Sequence, residues 1–91
     1  MTVGDLIKNK DYDYISYRLN IPNAAAIGAP EDIFIGCCKS IGGELIPLDG
    51  DTIYHTTDKV VRYEEFTNPE EGIINGLEVV INGRRDGSLL K

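Results

Sequence analysis

The stretch Asp11–Ile21, DYDYISYRLNI, alternates apolar and polar residues with a period of two, which predicts an extended strand. Strict alternation puts Ile15, Tyr17, Leu19 and Ile21 on one face and Tyr12, Tyr14, Ser16 and Arg18 on the other. Its β-branched and aromatic residues suit a pleated, half-buried surface. Ahead of it, Val3, Leu6 and Ile7 follow helical spacing. Thr2 is the expected N-cap, and Asp5 three residues on completes a capping-box pattern. A helix over Thr2–Lys8 is too short to stand alone, so its apolar stripe must pack on a sheet.

Pro22 lacks a ladder donor and stops the first strand. The segment Asn23 to Glu31 carries three alanines, Gly28 and Pro30, and reads as a long loop, the kind of segment that often carries function. Asp32–Ile41 is the second strand, apolar on both faces and therefore expected to be covered on both. Gly42-Gly43 reaches the positive φ of a tight hairpin turn, and Glu44–Leu48 returns as a third strand that Pro47 pushes to an edge. Asp49-Gly50 is a second hairpin signal and predicts a fourth strand over Asp51–His55. Lys59–Phe66 is the fifth, with Val60, Arg62, Glu64 and Phe66 on one face. Ile73 and Ile74 should anchor the loop before the last strand, Leu77–Asn82. The tail, Arg84–Lys91, is expected to fray.

These elements predict a single α+β domain over residues 1–91. Its short N-terminal helix packs on a mainly antiparallel, curled sheet or small barrel of about six strands, closure being one way to remove sheet edges.

Composition narrows the function classes. The net charge is −6, from 15 acidic and 9 basic residues. That disfavours phosphate-led nucleic-acid binding and docking on an anionic membrane, and permits a basic partner. There is no signal-peptide pattern and no apolar run of the ~20 residues a membrane helix needs, so a cytoplasmic protein is expected. The two cysteines, Cys37 and Cys38, are adjacent and cannot staple distant segments, which suits a reducing compartment.

No P-loop, dinucleotide fingerprint, nucleophile elbow or zinc-protease motif is present. His55 is the only histidine, and with two cysteines it does not reach the four ligands of a structural zinc site. The Asp49/Asp51 pair lacks the further ligands of a calcium loop. Neither a metal, a cofactor nor a catalytic residue is therefore expected. The side chains without an obvious destination are Tyr12, Tyr14 and Arg18, since tyrosine and arginine favour interface centres. Together with Asn23 and Ile27 of the loop they form the expected partner-binding surface.

The blocks DLIKNKDYDYISYRL and YEEFTNPEEGIINGLEVVI resemble a set of small accessory proteins of Clostridia-type bacteria, often linked to prophages or other mobile elements. The resemblance implies a bacterial, cytoplasmic protein and transfers no site residues. The expected function is a non-catalytic protein-interaction module. One alternative is an acidic inhibitor that occupies the basic nucleic-acid groove of another protein. A second is a small ligand-binding barrel or enzyme using Tyr and Glu side chains. A homodimer through an unpaired sheet edge is a further expectation.

Overall fold

The computed structural model describes residues 1–21, 28, 30–49 and 53–82. Its elements are α1 (Val3–Ile7), β1 (Tyr12–Asn20), β2 (Asp32–Ile41), β3 (Glu44–Pro47), β4 (Val60–Asn68), a 3-10 turn (Pro69–Glu71) and β5 (Ile73–Ile81). The strands form one mixed sheet in the order β3-β2-β1-β5-β4. The central pair, β1 and β5, is parallel, and every other pairing is antiparallel.

Helix α1 starts as its sequence dictates. The Asp5 N–H donates to Thr2 Oγ1, and the Thr2 N–H donates to Asp5 Oδ2 at 2.8 Å. That closed box satisfies donors a helix start leaves orphaned. Two more are taken by the segment before β4: the Val3 N–H donates to the Asp58 carbonyl at 3.0 Å and the Gly4 N–H to that of Thr56 at 2.8 Å. A Cβ on Gly4 would lie 3.2 Å from the Thr56 oxygen, so this close approach favours glycine. Val3 and Ile7 are buried against the sheet. Tertiary contacts thus hold a helix whose length alone would not.

The core lies between α1 and one face of the sheet. Ile15 and Tyr17 of β1, Cys38 of β2, and Leu77, Val79 and Ile81 of β5 are fully buried there. The expected inward face of β1 is therefore present. Two bulges change the rest. Tyr12 pairs with Ser40 and Ile15 with Cys38, three steps on β1 against two on β2. The extra residue returns Tyr12 to the same face as Ile15, and Tyr12 is 5% exposed. Between Tyr17/Gly36 and Arg18/Phe34 the extra residue is Ile35 of β2, which packs against the core.

The hairpin over Gly42-Gly43 forms as expected, with φ of 59° and 81°. Strand β3 is an edge, as Pro47 implied.

Three expectations are corrected. The sheet is open, not a closed barrel, and β3 and β4 are its two edges. It has five strands among the described residues, not six, because Ile53–His55 carry no strand. Tyr54 is used for covering instead of pairing. Its ring meets Tyr17 edge-on at 4.9 Å, and its hydroxyl donates to the Cys37 carbonyl and Asp49 Oδ1, each at 2.8 Å. Finally, β2 is not covered on both faces, since Phe34 is 52% exposed.

Candidate functional site

Helix α1 and the segment Ile53–Asp58 occupy one side of the sheet, and no described element crosses the other. The strand registers build that uncovered face as three cross-strand rows. The first row runs Phe66–Gly76–Tyr14. The second runs Glu64–Glu78–Ser16–Cys37, and the third Arg62–Val80–Arg18–Phe34.

The first row is aromatic. Phe66 and Tyr14 meet edge-on, with ring centroids 6.4 Å apart at 77°. The Phe66 ring lies over Gly76, where a Cβ would come within 2.7 Å of Phe66 Cζ. Glycine here lets an aromatic on the neighbouring strand cover the backbone. Burial, followed by the neighbouring Cys37, pushes the Tyr14 hydroxyl above its ordinary value.

The second row is acidic. Glu64 and Glu78 are directly opposite each other on β4 and β5, and both are exposed. Like charges in that position repel and weaken the pairing. A shallow depression of about 60 Å³ beside them is lined by Arg62, Tyr63, Glu64, Glu78 and Val80.

The third row is basic, and Asp32 closes it. Arg18 Nε and Arg62 Nη2 both donate to the Asp32 carboxylate, one to each oxygen. Asp32 is largely buried between them, its side chain only 12% exposed. Val80 lies between the two arginines and is 1% exposed, in keeping with long side chains laid along an apolar residue. An exposed Phe34 ends the row.

The sequence-derived candidates divide between the two sides. Tyr14 and Arg18 lie on the uncovered face, as alternation required, but in different rows. Tyr12 does not. It is a core residue on the α1 side, put there by the bulge, and it is not available to a partner. Its hydroxyl donates to Glu65 Oε2 at 2.8 Å, and Lys10 Nζ reaches the same oxygen at 2.7 Å. Burial, with Glu65 adding, pushes the Tyr12 hydroxyl up to about 12, while Lys10 and then Tyr12 hold Glu65 below the usual carboxylate range. Asn23, Ile27, Gly50 and the tail 84–91 lie outside the described residues.

Phe34, Asp32, Arg62, Glu64, Phe66, Gly76 and Glu78 were not among the candidates. The alternation of Arg62, Glu64 and Phe66 was visible in the sequence. Their placement beside Arg18 and Tyr14 depends on β5 inserting between β1 and β4.

Two further carboxylates among the described residues hold backbone N–H groups. Asp49 Oδ2 accepts from the Cys37 N–H at 2.9 Å. The carboxylate of Asp13 accepts from the N–H groups of Ile74 and Asn75, which hold it below its ordinary value. Cys37 and Cys38 are free thiols, and burial, then Cys37 and Asp49, pushes Cys38 up to about 12. His55 is exposed, and its carbonyl accepts from the Tyr17 hydroxyl at 3.4 Å. An open groove of about 360 Å³ lies near one end of β4 and β5, beside Lys10, Phe66 and Ile74. Among the described residues, no group of three or more His, Cys, Asp or Glu is placed to hold a metal ion, and no helix is long and apolar enough to cross a membrane.

Comparison of the chain with protein-family models, curated proteins and solved structures found no match.

Proposed function

We propose that this chain is a non-catalytic protein-interaction module of the cytoplasm, and that it binds a protein partner through the uncovered face of its sheet. The observation that carries the reading is the three-row face itself. One side of the sheet is sealed by α1 and Tyr54, whereas the other leaves Phe34 half exposed and opposes Glu64 to Glu78. A partner segment with a basic side chain set between the two glutamates would relieve their repulsion. Phe34 and the Tyr14/Phe66 pair would give it apolar and aromatic contact at either end.

The test is affinity capture from the native cell with three tagged forms: wild type, a Phe34→Ser/Glu78→Lys variant, and a Lys8→Ser variant on the opposite side. All three are expected to remain folded, as checked by far-UV circular dichroism. Wild type and Lys8→Ser should retain the same partner and the face variant should lose it. Equal capture by all three would refute the face as the docking surface.

Two observations favour a second reading. The Glu64/Glu78 pair and the net charge of −6 would suit an acidic inhibitor seated in a basic nucleic-acid groove. In that case the captured partner is a nucleic-acid-binding protein, its complex weakens steeply with added salt, and short DNA or RNA competes for it.

A further inference from the structure

The second row of the uncovered face sets two exposed carboxylates, Glu64 and Glu78, directly opposite each other. Among the described residues, the ion pairs of the sheet engage Asp32 and Glu65 and leave these two out. Two residues back along β5, apolar groups surround Gly76. Besides the Phe66 ring, Ile73 Cγ2 lies 2.9 Å from where a Cβ on Gly76 would stand. The chain that leaves β5 carries the complementary set. Residues 83–91 read GRRDGSLLK. Arg84, Arg85 and Lys91 are three of the nine basic residues, against one acidic residue, Asp86, and Leu89-Leu90 is an apolar pair.

We propose that residues 83–91 fold back over the uncovered face, with Arg84 and Arg85 at the Glu64/Glu78 row and Leu89 and Leu90 on the Phe66–Gly76–Tyr14 row. The path is argued from topology. Asn82-Gly83 is a two-residue reversal signal. A hairpin there would need a free edge beside β5, and β5 is already paired with β1 on one side and β4 on the other. The Asn82 N–H itself donates to the Lys59 carbonyl. A chain that reverses at this point must therefore leave the plane of the sheet. One face is taken by α1 and the segment Ile53–Asp58, and no described element crosses the other.

The lengths agree. An extended chain and a strand both advance ~3.3 Å per residue. Counted back from Asn82-Gly83, Arg85 comes level with Val80 and Leu89 level with Gly76. Arg85 then stands roughly 7 Å from the Glu64/Glu78 row, a gap suited to its long side chain. Asp86 falls between that row and the next, where Arg18 and Arg62 share the single carboxylate of Asp32. Alone, a polar stretch of this kind frays. Over this face its charges meet opposite ones. The inference rests on the face assigned above to the protein partner: the segment is an internal competitor that the partner displaces, and it carries the basic chemistry that the two glutamates select.

NMR spectroscopy of the isotope-labelled full chain, with no partner added, reads the contact. Nuclear Overhauser effects (NOEs) are expected between the Leu89 and Leu90 methyl groups and the ring protons of Tyr14 and Phe66. They should persist on tenfold dilution, because docking within one chain does not depend on concentration. Arg84→Glu/Arg85→Glu should lose them, and adding Glu64→Arg/Glu78→Arg to that variant should restore them. If the combined variant does not fold, Leu89→Ser/Leu90→Ser decides without it: the Tyr14 and Phe66 ring signals should shift while those of Ile15, Leu77 and Val79 stay in place. Absence of the NOEs in wild type, or their survival in Arg84→Glu/Arg85→Glu, would overturn the proposal. So would their loss on dilution, which would place the segment on a second copy. The capture experiment above separates the two readings. Equal capture by its three forms with the NOEs intact removes the protein partner and leaves the docked segment, whereas selective capture without the NOEs does the reverse. Where both hold, Arg84→Glu/Arg85→Glu should retain several-fold more of the same partner, because the competing segment no longer covers the face.

Discussion

Replacing Tyr12 by alanine separates the bulged strand from a strictly alternating one. Strict alternation places Tyr12 on the solvent side, where truncation costs little. The structure buries it to 5% exposure in the cluster that contains Ile7, Ile15 and Tyr17. Truncating a buried aromatic to alanine costs about 3–5 kcal/mol, the lost transfer energy plus the cavity left behind. A domain of 91 residues has a total stability of roughly 5–14 kcal/mol. Tyr12→Ala should therefore remove a large share of it and lower Tm by roughly 15–30 °C.

Tyr12→Phe isolates the hydroxyl. It keeps the ring and loses only the bond to Glu65, whose side chain is 50% exposed, so about 0.5–1 kcal/mol is expected. Urea unfolding followed by far-UV circular dichroism measures both, since the chain has no tryptophan to report by fluorescence. The reasoning fails if Tyr12→Ala falls within about 1 kcal/mol of wild type. It also fails if Tyr12→Phe costs as much as Tyr12→Ala, which would place the energy in the hydroxyl and not in the ring.

Gly76→Ala must displace the Phe66 ring and should cost about 1–3 kcal/mol; in a double-mutant cycle with Phe66→Ala the combined cost should be less than additive. Thr2→Ala opens the capping box and should cost about 0.5–2 kcal/mol, read from the urea midpoint. Asp5, Asp13 and Glu65 all titrate below their ordinary values, held by the Thr2 N–H, the Asn75 and Ile74 N–H groups and Lys10 respectively. A depressed carboxylate stabilises the fold fully above its unfolded pKa, near 4, and loses that contribution as the pH falls through the folded value. The urea midpoint should therefore fall on acidification below about pH 4, less steeply in Asp13→Asn, and a midpoint that rises there would contradict the assignment. Cys38, fully buried and pushed up to about 12, should resist alkylation in the native protein and label only on unfolding, as counted by mass spectrometry.

The local elements were legible because their causes are local. Thr2 and Asp5 stand three residues apart, and that spacing is enough to close a capping box. Gly42 and Gly43 supply positive φ without reference to anything distant. The bounds of β2, Asp32–Ile41, follow from a run of apolar residues between a proline and that glycine pair. The inward set Ile15, Tyr17 and Leu19 follows from a period of two.

The candidate site was legible only in part. Tyr14 and Arg18 were placed on the correct side by the same period. Tyr12 was not, because a bulge inserts one residue without a glycine or any other mark at Asp13 or Tyr14. Tyr54 reads as a strand residue by composition, yet its ring and hydroxyl are taken by Tyr17, Cys37 and Asp49 once those groups converge.

What the sequence determined by itself is therefore five of its six expected strands, the turn, the cap and most of the inward face. These depend on contacts within a few residues, where propensity and periodicity act. The tertiary structure decided which strands are neighbours. Only the parallel insertion of β5 between β1 and β4 brings Phe66 to Tyr14, opposes Glu64 to Glu78, and lets Arg18 and Arg62 share Asp32. Strand order is set by burying one continuous apolar layer under α1 and Tyr54, a global condition that no single segment encodes.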